Sequence, residues 1–316
     1  MRLLVTGGAG YLGSVTAAML AERGHEVVVL DSVATGHADA VPAGLEFVKA
    51  DLLDADTLAD RLGGGYDGVL HFAARALVGE SVLDPALYFR TNVVGTLNLL
   101  DAMRAQDVGR IVFSSTAATY GEPDQVPITE DAPTRPTNPY GASKLAVDSV
   151  LRGYAPAYGL AAISLRYFNV AGAYGTQRER HDPETHLIPN LLSAVRGDGG
   201  QFILHGTDYP TPDGTCIRDY VHVEDLAEAH FLALDAATPG EHRIYNLGSG
   251  SGYSVREVLQ VVERVTGRKV PTATGPRRPG DPARLIASSE RIERDLGWQR
   301  RHGLEDMVRD AWEALP

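Results

Sequence analysis

A chain of 316 residues is longer than one hydrophobic core usually serves, so its length predicts two domains or one large α/β domain with an appended part. Its 41 acidic against 29 basic residues give a formal charge of -12, which argues against nucleic acid or an anionic membrane surface as the main partner. Cys216 is the one cysteine; it excludes an intrachain disulfide, fits a reducing compartment and reads as an inert packed thiol.

From Met1 the sequence enters Leu3-Leu4-Val5-Thr6 and a glycine turn, a strand pattern rather than a secretory leader. No apolar run reaches the roughly 20 residues of a membrane helix. A soluble, cytoplasmic protein is the expectation. Short β-branched runs at 3–6, 27–30, 47–49, 69–72, 110–114 and 162–165 alternate with helical patterns at 11–23, 55–62, 85–105 and 140–158. Such alternation predicts an α/β fold, a Rossmann-type doubly wound parallel sheet. After Asn169 the alternation fades. Loops at 172–184 and 207–215 then separate helical patterns at 187–196, 223–236 and 255–266, and a Pro-, Gly- and Arg-rich stretch at 271–282 reads as a further loop. The expected organisation is a dinucleotide-binding Rossmann domain at 1–170 and a smaller C-terminal substrate-binding domain at 171–316. A segment near 244–247 is expected to return to the sheet.

The first strand leads into Gly7-Gly8-Ala9-Gly10-Tyr11-Leu12-Gly13, so Gly8, Gly10 and Gly13 fit the dinucleotide fingerprint in its strand–turn–helix context. Glycines there allow a tight turn and bring a pyrophosphate close to the N–H groups of a helix N-terminus. The second strand ends at Asp31, roughly 20 residues on, where a carboxylate suits the ribose hydroxyls. The same carboxylate repels a 2′-phosphate and no arginine follows closely, which favours NAD over NADP. Asp51 suits the adenine side and Asn92 the nicotinamide half; both equally suit ordinary helix caps.

The strand at 110–114 runs into Ser114, Ser115 and Thr116, hydroxyls at the carboxyl edge of the sheet where open α/β folds bind ligands. Periodicity does not decide which of them faces a ligand and which satisfies loop backbone. Asn138 and Pro139 then mark a helix start beside Tyr140, and Lys144 follows one turn later on the same face. An ammonium and a cationic cofactor near a phenol both favour phenolate, the form needed for a general base, from an ordinary pKa of about 10. Tyr-x-x-x-Lys also occurs as a plain surface pair, so its meaning rests on its neighbours.

Taken with Leu4-Val5-Thr6-Gly7-Gly8, His71-Phe72-Ala73, Val78-Gly79-Glu80-Ser81, Arg166-Tyr167-Phe168-Asn169, Asp208-Tyr209-Pro210-Thr211, Asp213-Gly214-Thr215 and Arg218-Asp219-Tyr220-Val221-His222-Val223, these residues resemble the extended short-chain dehydrogenase/reductase family. The likeness spans almost the full length and is nearest to the branch that epimerises UDP-hexoses at carbon 4. It implies NAD as cofactor and a UDP-sugar as substrate, passing between the UDP-glucose and UDP-galactose configurations through a 4-keto form. It implies a homodimer joined through the helices near 85–105 and 140–158.

Carried over by position, the resemblance makes Tyr140 the acid/base, Lys144 its pKa modifier and ribose anchor, and Thr116 the hydroxyl partner where serine is common. Threonine keeps the donor and the acceptor. The implied cofactor contacts add Gly7, Tyr11, Leu12, Leu52, Phe72, Ala73, Ala74, Arg75, Ser114 and Tyr167. Asn169, Leu187, Arg218, Arg278 and Asp281 fall where the uridine diphosphate is held, and forked guanidinium donors suit a diphosphate. Without the family, Arg218 would read as an ion pair with Asp219 and Arg277-Arg278 as a solvated charged loop.

Two departures stand out. Ala74-Arg75-Ala76-Leu77 replaces a loop that carries lysine in some members, so Arg75 either substitutes against the cofactor or faces solvent. Leu285 falls near a position that varies with room for an N-acetyl group, and its intermediate bulk leaves UDP-N-acetylglucosamine open as an alternative substrate. Ala117-Ala118 follows Thr116 where dehydratases of this type carry an acidic pair. A net-redox ketoreductase would share Tyr140 and Lys144 but exchange its cofactor, and a non-catalytic NAD-sensing module would not need them. No histidine spacing points to a metal: His181 and His186, like His222 and His230, read as surface or packed residues, and His71 as packing.

Overall fold

The computed structural model describes residues 1–63, 65–278 and 281–316. The loop predicted at 271–282 therefore lies partly outside the described residues. The first half follows the predicted alternation: β1 (Arg2–Thr6), α1 (Tyr11–Glu22), β2 (Glu26–Asp31), β3 (Glu46–Lys49), α2 (Ala55–Arg61) and β4 (Gly68–His71). The region predicted as one helix over 85–105 is more broken. It holds α3 (Val78–Leu83) and α4 (Pro85–Tyr88), a π-helical stretch over Phe89–Val94, and α5 (Gly95–Ala105). Asp84 stops α3 and caps α4 by accepting from Leu87 N, with Pro85 at the first helical position. The wider π turns carry Asn92, which is fully buried.

β5 (Arg110–Thr116), α6 (Pro139–Tyr158) and β6 (Ala161–Tyr167) complete this half. The signals read for α6 are the ones used: the Asn138 side chain accepts from Gly141 N, Pro139 opens the helix, and Gly159 closes it at φ 71°. Beyond lie β7 (Asn169–Ala171), α7 (Leu187–Arg196), β8 (Phe202–His205), β9 (Ile217–Arg218), β10 (Tyr220–His222), α8 (Val223–Ala236), β11 (His242–Leu247), β12 (Tyr253–Ser254), α9 (Val255–Thr266), β13 (Thr272–Gly275), β14 (Arg284–Leu285), α10 (Glu290–Leu296) and α11 (Leu304–Glu313). β13 lies within the stretch predicted as a loop and pairs in parallel with β8, a partner in space that local composition does not announce.

Seven parallel strands form one sheet in the order β11-β6-β5-β4-β1-β2-β3. The segment expected near 244–247 does return, pairing Ile244 with Ser164 and Leu247 with Tyr167. Side chains alternate between two faces, as the strand period of two requires. Leu3, Val5, Val27 and Val29 meet Ala17 and Leu20 of α1 and Leu226, Phe231 and Leu234 of α8. Leu4, Val28, Leu30 and Val69 meet Leu58 of α2, Leu99 and Met103 of α5, and Val147 and Leu151 of α6. Both faces are covered, which is why the strands read as near-continuous apolar runs. A separate core joins Ile188 and Leu191 of α7, Val258 and Val262 of α9, and Met307 and Val308 of α11. Among the described residues no helix is long and apolar enough to cross a membrane.

Candidate active site

One cavity of about 1200 Å³ opens at the carboxyl ends of the central strands, and both the glycine turn and the Arg218 loop line it. That exceeds the roughly 300–1,000 Å³ of a typical small-molecule site and suits two nucleotides end to end. Strand order reverses between β1 and β4, where open α/β sheets leave a crevice.

The glycine turn is shaped for a dinucleotide. A Cβ on Gly7 would lie 2.5 Å from Ala73 N, and one on Gly13 only 2.3 Å from Gly7 O, so both positions exclude a side chain. Beside Gly10 the nearest such contact is the Gly7 carbonyl at 3.3 Å. Gly10 caps α1 without a side-chain acceptor, and no acidic residue stands in its first turn. The first turn lines the cavity, and a helix N-terminus with no carboxylate of its own favours an anionic ligand. At the end of β2, buried Asp31 accepts from Ala9 N at 3.0 Å and Val33 N at 2.7 Å, which ties the turn to the strand. Burial raises its pKa against those two N–H groups. The residues present thus fit NAD.

Other predicted cofactor residues divide. Tyr11, Leu12, Asp51, Leu52, Phe72, Ala73, Ala74, Arg75, Ser114 and Tyr167 all line the cavity. Asp51 also closes a local turn by accepting from Leu53 N. Asn92 has no free hydrogen-bonding atom: Oδ1 accepts from Arg75 N, and Nδ2 donates to Arg75 O and Ser143 Oγ. It holds the loop after β4 in place. Arg75 turns toward Glu80, 3.5 Å away, at the cavity wall.

Of the three hydroxyls at the end of β5, Thr116 is the one beside Tyr140. Its Oγ1 accepts from Ala118 N at 3.1 Å, starting a 3₁₀ turn over Ala117–Thr119, and it stands near enough to the Tyr140 hydroxyl on the cavity wall to favour the phenolate. Ser114 instead pairs with the Tyr167 hydroxyl, and Ser115 turns to buried Asp148, itself gripped by Arg166 at 2.7 and 3.0 Å. A Cβ on Gly141 would come within 2.4 Å of Ala118 O, so the absence of a side chain lets α6 seat Tyr140 against the Thr116 turn. Tyr88 meets Tyr140 edge-on at 6.3 Å.

Lys144 is buried, donates to Ser114 O at 2.8 Å and lies 4.7 Å from the Phe113 ring centroid. Burial lowers its pKa to about 7, against a supporting charge from Asp148. Burial also raises the Tyr140 phenol, with only Thr116 opposing it. Within the protein alone, the pair therefore does not favour phenolate with ammonium: burial opposes charge on both, and Thr116 rather than Lys144 is what offsets it at the phenol. His71 is held neutral between Thr6 and Thr96 at 2.7 and 2.8 Å, its pKa lowered to about 3 by burial and then by Lys144.

On the far side, Asn169, Leu187, Arg218, Arg278 and Asp281 line the same cavity. Asn169 is tied through Nδ2 to Asp219 O at 2.9 Å. Arg218 pairs with Asp281, whereas Asp219 accepts from Ala287 and Ser249 of neighbouring loops, so the Arg218–Asp219 pairing does not form. Cys216 is buried on the cavity wall rather than in a remote core. The sequence does not single out Ser32, Thr35 and His37 after β2, nor Arg178, Glu179 and Arg180, which also line the cavity; His181, expected as a surface or packed residue, lines it as well. Arg180 joins these two loops by pairing with Asp39 at 3.0 Å, and His37 Nε2 meets Arg180 O at 3.1 Å. Position just after Asp31 was the one available signal.

A dinucleotide cradle, a Tyr–Thr hydroxyl pair and an arginine-bearing second half in one crevice define a sugar-nucleotide-type redox site on a Rossmann fold. The NAD dependent epimerase/dehydratase family matches residues 3–248, and the chain belongs to it. A curated relative, the UDP-glucose 4-epimerase of Corynebacterium glutamicum, is 56% identical over 99% of this chain and 95% of its own length. The crystal structure of UDP-glucose 4-epimerase from Brucella ovis in complex with NAD superposes with a TM-score of 0.95 at 46% identity, covering 99% of this chain and 97% of that one. The Bifidobacterium longum UDP-glucose 4-epimerase in complex with NAD+ and UDP gives 0.93 at 35% identity, covering 99% and 98%.

Proposed function

We propose that this chain interconverts UDP-glucose and UDP-galactose by inverting carbon 4, with NAD kept bound. The observation that carries the reading is the Tyr140–Thr116 hydroxyl pair, set where the glycine-turn half of the cavity meets the Arg218 half. NAD supplies a reversible hydride acceptor, so the sugar can pass through a 4-keto form. Tyr140 removes the 4-hydroxyl proton and later returns it as a general acid–base group. Thr116 donates to the developing phenolate. Lys144, fixed by Ser114 O, anchors the cofactor ribose and, when protonated, offsets the negative charge of the base.

Inversion requires the sugar to present its other face while the nucleotide stays put. Arg218, Arg278, Asn169, Leu187 and Asp281 are assigned to the uridine diphosphate, leaving the sugar end in the less charged part of the cavity. Gly7, Gly8, Gly10, Tyr11, Gly13 and Asp31 are assigned to NAD, with Asn92 as a buttress. We divide the chain at residue 170 into cofactor-binding and substrate-binding parts, α8 and β11 being lent back to the first. Exposed Phe89, Val94 and Tyr158 beside α5 and α6 support a homodimer through these helices, and the single cysteine supports a cytoplasmic setting.

The deciding assay incubates purified protein with UDP-galactose and, separately, UDP-N-acetylglucosamine, and resolves products by NMR. Conversion of the first without net NADH is expected, and Tyr140→Phe should retain NAD while losing most turnover. Leu285 on the cavity wall makes the second substrate the informative comparison. Net NADH accumulation would indicate a ketoreductase, and no conversion of either substrate would indicate a binding module.

A further inference from the structure

We propose a divalent transition-metal site, of the Zn²⁺ class, formed by Glu179, His181 and His186. Sequence spacing gave no reason for one, because the segment is neither a helix nor a strand that would align two imidazoles by period. The loop fold does what periodicity does not: one ligand atom from each of the three residues converges within 4.8 Å of the others. His181 Nδ1 touches Glu179 Oε1, and His186 Nδ1 lies 3.8 Å from Glu179 Oε2. Glu184 Oε1, 2.7 Å from His186 Nδ1, orients that imidazole from outside the group of three.

The donor set selects the ion. Two imidazoles with carboxylates suit Zn²⁺, Co²⁺ or Ni²⁺ rather than Ca²⁺ or Mg²⁺; tetrahedral ligands at about 2.0–2.2 Å stand roughly 3.4 Å apart, so the His181–Glu179 contact would open to admit the ion and the His186–Glu179 separation would close slightly. Both carboxylates are already oriented by backbone N–H groups: Glu179 Oε1 accepts from Arg180 and His181, and Glu184 Oε1 from Thr185 and His186. The Glu179 side chain is 12% exposed, so an ion there would be largely shielded from water while His181 and His186 leave a path to it.

The position suggests what the ion would do. Residues 172–186 form a long connection whose only pairing among the described residues is a bridge between Tyr174 and Gln177, and such loops need anchors. Its middle is tied to the loop after β2 through Arg180–Asp39 and His37, and its end enters α7 at Leu187. A metal on Glu179, His181 and His186 would fix the span between the cofactor wall and the substrate wall. A second grouping, His222, Glu224 and His302, is less able to bind: both His222 ring nitrogens are engaged, by Glu224 N and Asp310, and His302 Nδ1 meets Asp225.

The test uses untagged, NAD-loaded full-length protein stripped with a chelator and titrated with Zn²⁺ and then Co²⁺. Expected are one equivalent of Zn²⁺ per chain by elemental analysis, a visible Co²⁺ spectrum of an ordered site, and at least a 100-fold loss of affinity in Glu179→Gln and in His181→Asn. His302→Asn should bind as wild type. Retained NAD content and melting temperature confirm that each variant is folded, and His181→Gln replaces His181→Asn if it is not. No stoichiometric binding overturns the proposal. So does unchanged affinity in the folded Glu179→Gln and His181 variants, or loss confined to His302→Asn.

Discussion

Gly141→Ala should separate catalysis from stability, because one methyl group enters where α6 leans on the Thr116 turn. The new Cβ would stand 2.4 Å from Ala118 O and 2.9 Å from its carbonyl carbon, against ordinary contact beyond 3.4 Å. Both neighbours are backbone, and Gly141 N is pinned by Asn138 at 2.8 Å, so relief requires the helix start and the turn to part by about 1 Å. Tyr140 precedes Gly141 and moves with it. A displacement of about 1 Å at a reacting group costs on the order of 100-fold in rate. Stability changes far less: overpacking costs about 1–3 kcal/mol, while alanine in place of a helical glycine returns roughly 1 kcal/mol. The expected result is a kcat for UDP-galactose lowered about 100-fold, NAD content unchanged, and a melting temperature within several degrees of wild type. A kcat within twofold of wild type would refute the argument that this contact sets Tyr140.

Thr116→Val removes the hydroxyl with little change in volume; loss of a hydrogen bond to a charged group, about 1.5–3 kcal/mol, predicts a kcat roughly 10- to 150-fold lower with Thr116→Ser near wild type, and equal losses in both would argue against the hydrogen bond. Lys144→Met should move the rising limb of the pH–rate profile upward, since an ammonium no longer favours phenolate; an unshifted limb rejects the role. The same variant tests the buried charge. A lysine lowered to about 7 leaves the unfolded chain holding more protons from there to about pH 10, so wild-type stability relative to Lys144→Met should rise across that window; a flat difference in melting temperature contradicts it. Phe89→Asp with Val94→Glu should convert a dimer to a monomer by light scattering, and an unchanged mass would place the interface elsewhere.

Much of the fold was legible in sequence because it is built from local periodicities. Each strand of the first half is a short apolar run, and the ends of α6 are written as Asn138-Pro139 and Gly159. Where the prediction failed, the cause was non-local. The 85–105 helix is interrupted because Asn92 must turn inward to hold the Arg75 loop, and β13 exists because β8 lies beside it. Arg218 found Asp281, not its chain neighbour Asp219, because strands β9 and β14 bring the first two together.

By itself the sequence determined the parallel sheet, the glycine turn with its acid, and the Tyr140–Lys144 helix, since each depends on residues within about one element of one another. Only the tertiary structure decided which hydroxyl at the end of β5 meets Tyr140, how strongly burial opposes charge on both members of the pair, and that Glu179, His181 and His186 converge in a loop. Those outcomes depend on desolvation and on contacts between segments far apart in the chain, quantities that packing fixes and local pattern does not encode.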